Sequence, residues 1–142
     1  MRCAVLFVFS LLAVVVHADN HLDLSTPESA IRTRFEVLAN ADHAAYAETT
    51  HFPDVQLYQD DRPPKVSMTS EELEGFARNM PNFTLVSTDV LDEANGFAVV
   101  RVTFGIETPG GEQMGVAWWG LKRADGKWRI TWRQFLGPKA ND

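Results

Sequence analysis

The second half of the sequence alternates between apolar and polar residues, and this pattern constrains the fold more than any other feature. The alternating segments are FTLVSTDVL, GFAVVRVTFGIE, EQMGVAWWGLKR and KWRITWRQFL. The turn sequences EANG, TPGG and ADGK separate them, and such glycine-containing turns are typical of hairpins. A period of two indicates strands, so we predict four long antiparallel strands. Glycines inside them, Gly105, Gly115 and Gly120, indicate sharp bending.

The sequence before these strands is mostly helical. Ser25 and Glu28 have the spacing of a capping box, and Ile31, Phe35 and Leu38 then recur at helical spacing, which predicts a helix from Pro27 to Ala39. A short second helix is predicted from Asp42 to Thr49, and a third in TSEELEGFARNM, capped by Thr69 or Ser70. Helices first and a strand meander last indicate an α+β fold, with helices packed in the concave side of a strongly curved, mainly antiparallel sheet.

One further strand is predicted between the second and third helices. DVQLYQ has alternating character, DDRPP ends it, and KVSM is a candidate for a short returning strand. Because successive side chains of a strand point to opposite faces, Val55 and Leu57 are expected to face the core, and Asp54, Gln56 and Tyr58 are expected to face the other side.

The first eighteen residues have the parts of a secretory signal peptide. An apolar run from Cys3 to Val16 follows Arg2, and Val16 and Ala18 suit a cleavage site. The run is short for a membrane span, which needs about 20 residues. An uncleaved anchor stays an alternative. We therefore expect a signal peptide at 1–18, one domain at 19–142, and a secreted or periplasmic protein.

The composition of the mature chain excludes several classes of function. Cleavage removes the only cysteine, so neither a disulfide nor a cysteine nucleophile is expected. It leaves 12 basic and 19 acidic residues, a net charge of −7. Nucleic acids and anionic membranes bind preferentially to basic patches, so neither is an expected partner of this acidic chain.

Three parts of the sequence carry a family resemblance when taken in order. They are NADHAAYAETTHFPDVQLY after the first helix, the capped helix at Ser70, and the hairpin GLKRADGKWRITWRQF. From about Pro27 to Leu136 the chain resembles the nuclear transport factor 2-like superfamily, which includes SnoaL-like cyclases and ketosteroid isomerases. The resemblance implies a cone-shaped α+β barrel with an apolar pocket. Members isomerise, dehydrate, cyclise or hydrate small molecules, and others only bind ligands or form dimers.

The catalytic set of the ketosteroid isomerases does not carry over to this chain. Counting from Tyr46 places Asp54 opposite the family's catalytic base, whereas strand register places Gln59 or Asp60 there. The first helix has Phe35 and no tyrosine, and GVAWWG has no carboxylic acid in the third long strand.

Taken from the residues alone, His51, Asp54 and Tyr58 are the candidate catalytic residues. Histidine is the side chain most often used as a general acid or base, the tyrosine is a donor, and the aspartate is able to orient the histidine. The alternative is a solvated strand face with His51 packed at the helix–strand junction. Asp60 and Asp61 show no recognised metal-ligand spacing and suit a turn, so no metal and no cofactor are expected.

Tryptophans on the last two strands mark the candidate ligand pocket. Trp128, Ile130, Trp132 and Gln134 alternate onto one face, which we predict to be concave. The candidate ligand-binding residues are Tyr46, Trp119, Trp132 and Gln134, although large aromatics also fill ordinary cores. Because Trp118 and Trp119 are adjacent, one must face outward, which favours a homodimer formed through the sheet.

Three functions therefore compete. The first is binding of a small, largely apolar molecule in a cone-shaped pocket without a secure catalytic set. The second is an enzyme of the isomerase, dehydratase or cyclase kind, and the third is a dimerisation module without catalysis.

Overall fold

The structure is a computed structural model that describes residues 22–51, 56–58, 65–66 and 69–138. The predicted signal peptide lies outside these residues. The elements, in chain order, are α1 Pro27–Ala39, α2 His43–Glu48, β1 Gln56–Tyr58, β2 Lys65–Val66, α3 Ser70–Arg78, β3 Phe83–Ala94, β4 Phe97–Thr108, β5 Gly111–Ala124 and β6 Lys127–Pro138. Helices first and a curved antiparallel sheet last confirm the predicted α+β class. No helix of the described ranges is long and apolar enough to span a membrane.

Helix α1 begins one residue later than its predicted cap. Thr26, not Ser25, is the N-cap: its hydroxyl accepts the Ser29 N–H at 3.1 Å, and the Ser29 hydroxyl accepts the Thr26 N–H at 3.0 Å. The predicted box of Ser25 with Glu28 is therefore wrong. Serine at the third helical position replaces the usual Glu or Gln, so the standard motif missed the pair. The helix itself runs over the predicted residues.

The caps of α2 and α3 follow the prediction more closely. The Asp42 carboxylate accepts the Ala45 N–H at 3.0 Å and begins α2. Thr69 and Glu72 form a reciprocal capping box at the start of α3. These side chains satisfy backbone donors that no intrahelical carbonyl reaches.

One six-stranded sheet forms in the order β2-β1-β6-β5-β4-β3. Strand β1 pairs parallel to β6, and the other pairs are antiparallel. Two of the hairpin turns have consecutive residues at positive φ, namely Asn95-Gly96 and Asp125-Gly126. Turns of this hand match the twist of the strands, and Asn, Asp and Gly adopt them most readily.

The sheet-facing core lies between α1 and the concave side of β4, β5 and β6. Phe35 stacks on Trp119 with the ring centroids 5.7 Å apart, and it also meets Phe104. Burying each large apolar side chain contributes roughly 1.5–3 kcal/mol. The cluster consists of Leu24, Ala30, Ile31, Phe35, Ala98, Val100, Val102, Phe104, Ala117, Trp119, Leu121, Trp128 and Ile130.

A bulge in β6 reverses the facing of its second half. Leu121 pairs with Ile130 and Gly120 pairs with Trp132, which leaves Thr131 as the extra residue. The Thr131 hydroxyl donates to the Gly120 carbonyl at 3.2 Å. Simple alternation is therefore interrupted, because a bulge places two residues opposite one. The predicted single face of Trp128, Ile130, Trp132 and Gln134 is wrong beyond Ile130.

Candidate functional site

A buried arginine stands on the apolar side of α1. Arg34 is 1% exposed. It follows Ile31 by three residues and precedes Phe35, so the helical repeat directs it inward, beside the sheet-facing core. A charged side chain this deeply buried is rare unless it is paired.

Three hydroxyls hold the guanidinium of Arg34. Its Nη1 donates to the Thr49 hydroxyl at 2.7 Å and the Thr50 hydroxyl at 2.8 Å. Its Nη2 donates to the Tyr46 hydroxyl at 2.8 Å. All three acceptors come from α2 and the residues directly after it, so the second helix fixes the position of the arginine head group.

Aromatic rings cover the same guanidinium. Its central carbon lies 3.9 Å from the Tyr46 ring centroid and 5.5 Å from that of Trp119. The electron-rich faces of such rings attract a cation. We refer to Arg34, Tyr46, Thr49, Thr50 and Trp119 as the Arg34 cluster. It joins α1, the α2 region and β5 inside the fold.

Two buried donors of this cluster have no hydrogen-bond acceptor among the described residues. They are Arg34 Nε and Trp119 Nε1. In the same part of the chain, no carboxylate forms a salt bridge with Arg34. Burial lowers the pKa of the Arg34 guanidinium, nearby Tyr46 raises that pKa, and nearby Arg133 lowers it. Arginine nevertheless stays protonated in proteins, so the cluster contains a buried cation held by neutral groups.

A second arginine approaches the cluster from the sheet. Arg133 pairs with Trp119 across β5 and β6, so its side chain shares the concave face with that tryptophan. Its guanidinium carbon lies 5.5 Å from the centroid of Phe76 on α3. The Tyr46 hydroxyl donates a hydrogen bond of 3.5 Å to the sulfur of Met80, which lies just past α3. The helix α3 thus borders the cluster on one side.

The structure separates the four predicted ligand-binding residues into two pairs. Tyr46 and Trp119 are both buried and both contact Arg34. Trp132 and Gln134 lie on the opposite face of the sheet, beside Gly120 and Trp118. Their predicted concave placement is wrong because of the extra residue, Thr131, in β6.

Of the three predicted catalytic residues, the described part of the chain includes the side chain of His51 and the backbone of Tyr58. His51 is half-buried, and its backbone N–H donates to the Ile130 carbonyl at 2.9 Å. Asp54 lies outside the described residues. The backbone of Tyr58, in β1, pairs with that of Gln134 in the neighbouring strand β6. No three His, Cys, Asp or Glu side chains of the described ranges converge as metal ligands do. The catalytic role of these residues stays a prediction.

Sequence analysis missed Arg34 and Arg133. A signal for Arg34 was present: it occupies the i+3 position after Ile31, where a helix with one apolar side carries an apolar residue. A charged residue at such a position requires a partner or a function. Arg133 gave no comparable signal, because its facing depends on the bulge at Thr131.

Comparison with known proteins identifies the fold by structure and not by sequence. No protein-family model matches the sequence, and no curated protein is significantly similar to it. Among solved structures, a nuclear transport factor 2-like protein of unknown function from Shewanella oneidensis has a TM-score of 0.62 at 15% identity. That match covers 76% of this chain and 93% of the other.

Two further solved structures show how varied the proteins with this architecture are. A proposed dehydratase of the same family from Streptomyces avermitilis has a TM-score of 0.60 at 19% identity, covering 78% of this chain and 92% of the other. A proposed calcium/calmodulin-dependent protein kinase II association domain from Xanthomonas campestris has a TM-score of 0.56 at 19% identity, covering 76% and 82%. At these identities the comparison establishes fold and leaves activity open. The chain therefore has the nuclear transport factor 2-like fold, as the resemblance in its sequence predicted.

Proposed function

We propose that this chain is an exported protein that binds a small, largely apolar molecule against the Arg34 cluster, without catalysing a reaction. The observation that carries the proposal is the pair of buried donors without acceptors, Arg34 Nε and Trp119 Nε1. Native proteins leave few buried polar groups unpaired, and such a group calls for a specific explanation. A bound molecule that accepts hydrogen bonds supplies one.

The surroundings of these donors suit a ligand with an apolar body. The rings of Tyr46 and Trp119 flank the guanidinium, and Phe76 and Met80 border the cluster from the α3 side. Small-molecule sites are mostly apolar, with a small number of polar groups that fix orientation. The neighbour from Streptomyces avermitilis is a proposed dehydratase, and an enzyme of that kind must bind a small molecule. This likeness supports a small-molecule site in the present fold.

The test compares two neighbouring tryptophans with opposite facing. Trp119→Phe keeps an aromatic ring but removes the inward Nε1, while Trp118→Phe makes the same change at the outward, 40% exposed position. We expect Trp119→Phe to weaken binding up to about tenfold, because one hydrogen bond is lost. Trp118→Phe should leave affinity unchanged.

Ligands for this test come from native mass spectrometry of protein purified from its source, followed by calorimetry with a panel of small apolar compounds. Equal losses of affinity in the two tryptophan variants would place the binding site elsewhere. If the purified protein carries no molecule and no panel compound binds, the proposed function is wrong.

Export is part of the proposal and rests on the sequence of residues 1–18. We expect the exported protein to begin at Asp19, as measured by intact mass, and a chain lacking residues 1–18 to stay in the producing cell. A full-length mass recovered from the membrane fraction would favour the uncleaved anchor instead.

The outer face of the sheet supports a second proposal, a homodimer. Trp118 and Phe97 are 40% and 55% exposed there, so two large aromatic side chains on this face are accessible to a partner. We expect light scattering to give the mass of a dimer, and Trp118→Arg to give a monomer, because the new charge would be buried between the two copies. A monomeric wild-type protein would contradict the dimer.

A further inference from the structure

We propose that the molecule bound at the Arg34 cluster is a small monocarboxylic acid, whose carboxylate pairs with the Nε side of Arg34. This inference rests on the proposed function and adds the charge of the ligand. It arises from the hydrogen-bond pattern of the guanidinium, from the neighbouring arginine and from the aromatic walls.

The three hydroxyls around Arg34 orient the guanidinium without neutralising it. Thr49 and Thr50 occupy Nη1 and Tyr46 occupies Nη2, and Nε has no acceptor among the described residues. The planar guanidinium presents its donors as a fork that matches the two oxygens of a carboxylate. The bonds to Thr49, Thr50 and Tyr46 use three of the five N–H groups and fix the plane of the guanidinium. The Nε–H and one N–H of Nη2 are not used by these bonds.

The electrostatics of the cluster favour an anion. A cation removed from water is costly unless an opposite charge compensates for it. The hydrogen-bond partners of Arg34 in the described ranges are neutral hydroxyls, and the cation Arg133 disfavours the charge of Arg34 further. Two like charges near each other raise the cost further. A carboxylate between them would offset both.

The aromatic side chains define the rest of the molecule. Tyr46 and Trp119 stack near Arg34, and Phe76 lies under Arg133. A flat or short aliphatic body next to the carboxylate would contact these rings. A phosphate or sulfate lacks such a body, and it would leave the apolar walls uncovered. A monocarboxylic acid therefore fits the cluster better than an inorganic anion.

The experiment uses pairs of acids and their neutral amides, namely cinnamate with cinnamamide and hexanoate with hexanamide. Calorimetry measures each affinity for the wild type, for Arg34→Met and for the control Arg101→Met. Arg101 lies on the outer face and pairs with Asp89 at 2.6 Å. We expect the better acid to bind the wild type about 10- to 100-fold more tightly than its amide. Arg34→Met should abolish this preference, and Arg101→Met should keep it.

A second measurement on the wild type keeps the proposal testable if Arg34→Met does not fold. The Nε–H of a buried arginine gives its own signal in a proton–nitrogen correlation spectrum. We expect the acid to move the Arg34 signal and the amide to leave it nearly in place. An unmoved signal at saturating acid would overturn the proposal.

The other outcomes separate this inference from the function on which it rests. Equal binding of acid and amide overturns the carboxylate and leaves the proposed function intact. Binding of neither member of any pair, together with no ligand in the purified protein, overturns both. If sodium chloride moves the Arg34 signal as far as the acid does, the site binds anions in general, and the monocarboxylate proposal is overturned. If Asp54→Asn moves the Arg34 signal of the free protein, the counter-ion is internal and the inference fails.

Discussion

The two sides of α1 satisfy their environments very differently. Towards the sheet, Ile31 and Phe35 pack among apolar side chains. The indole of Trp119 belongs to both sides, because its ring stacks on Phe35 and its N–H borders the Arg34 cluster. Towards α2, Arg34 leaves a donor without an acceptor among the described residues. One side of the helix holds the fold together, and the other carries a feature that folding alone does not explain.

This difference indicates which part of the molecule serves stability and which serves function. Removing large apolar residues from water is favourable, so the sheet-facing core is explained by its contribution to stability alone. A buried cation loses free energy unless something compensates for it. Structures tend to keep such locally unfavourable groups at functional sites. Variants on the two sides should therefore affect different measurements.

The largest expected effect is on the core side. Leu121 is 1% exposed and belongs to the sheet-facing cluster. Leu121→Ala should lower the free energy of unfolding by about 2–5 kcal/mol, because it removes buried methyl groups and leaves a cavity. Urea denaturation measures this loss. Ligand affinity of the folded fraction should stay the same, and a large drop in affinity would show that the two sides are not separate.

An intermediate effect is expected at the bulge that turns Arg133 inward. A methyl group on Gly120 would overlap the Trp132 indole, so Gly120→Ala should cost about 1–3 kcal/mol of unfolding free energy. Gly105→Ala is the matched control, since its methyl group would first meet the flexible, exposed side chain of Glu112, which is able to swing away. We expect the control to unfold at nearly the wild-type urea concentration. Equal losses in the two variants would contradict the packing role of Trp132.

The smallest expected effect is at the exposed start of α1. The Ser25 hydroxyl and N–H donate to the Asp23 carboxylate, and these bonds lower its pKa below the ordinary 3.8. A lowered pKa in the folded state stabilises the protein above the unfolded value, and this contribution disappears as the pH falls through the folded value. Asp23→Asn should thus unfold slightly earlier at neutral pH. The two proteins should converge in acid, and a difference that grows in acid would contradict this.

The sequence predicted the parts of the fold that depend on local patterns. Helix α1 and the four long strands followed from periodicity and turn residues, which are properties of neighbouring positions. The facing of Trp132 was beyond such reasoning. It depends on the extra residue, Thr131, and on the absence of a side chain at Gly120, across the neighbouring strand.

The candidate site was only half visible in the sequence. Aromatic residues suggested Tyr46 and Trp119, and the structure brings both to Arg34. Arg34 was not predicted, because the apolar periodicity of the first helix rests on Ile31, Phe35 and Leu38 and gives no role to a charged residue among them. Its hydrogen bonds to Thr49 and Thr50 link positions 15 and 16 residues apart, which no local pattern describes.

The bulge in β6 has a consequence for how proteins of this shape diversify. Deleting Thr131 would remove the bulge and leave Trp132 opposite Gly120 and Arg133 opposite Trp119, because only the extra residue is lost. Straightening the strand with Thr131 in place would instead move Trp132 and Arg133 to the opposite faces of the sheet. The interior would then gain an indole and lose a cation, although neither residue had been substituted. The presence or absence of a bulge at this strand is thus a route to new ligand preference that comparison of residue identities alone would overlook.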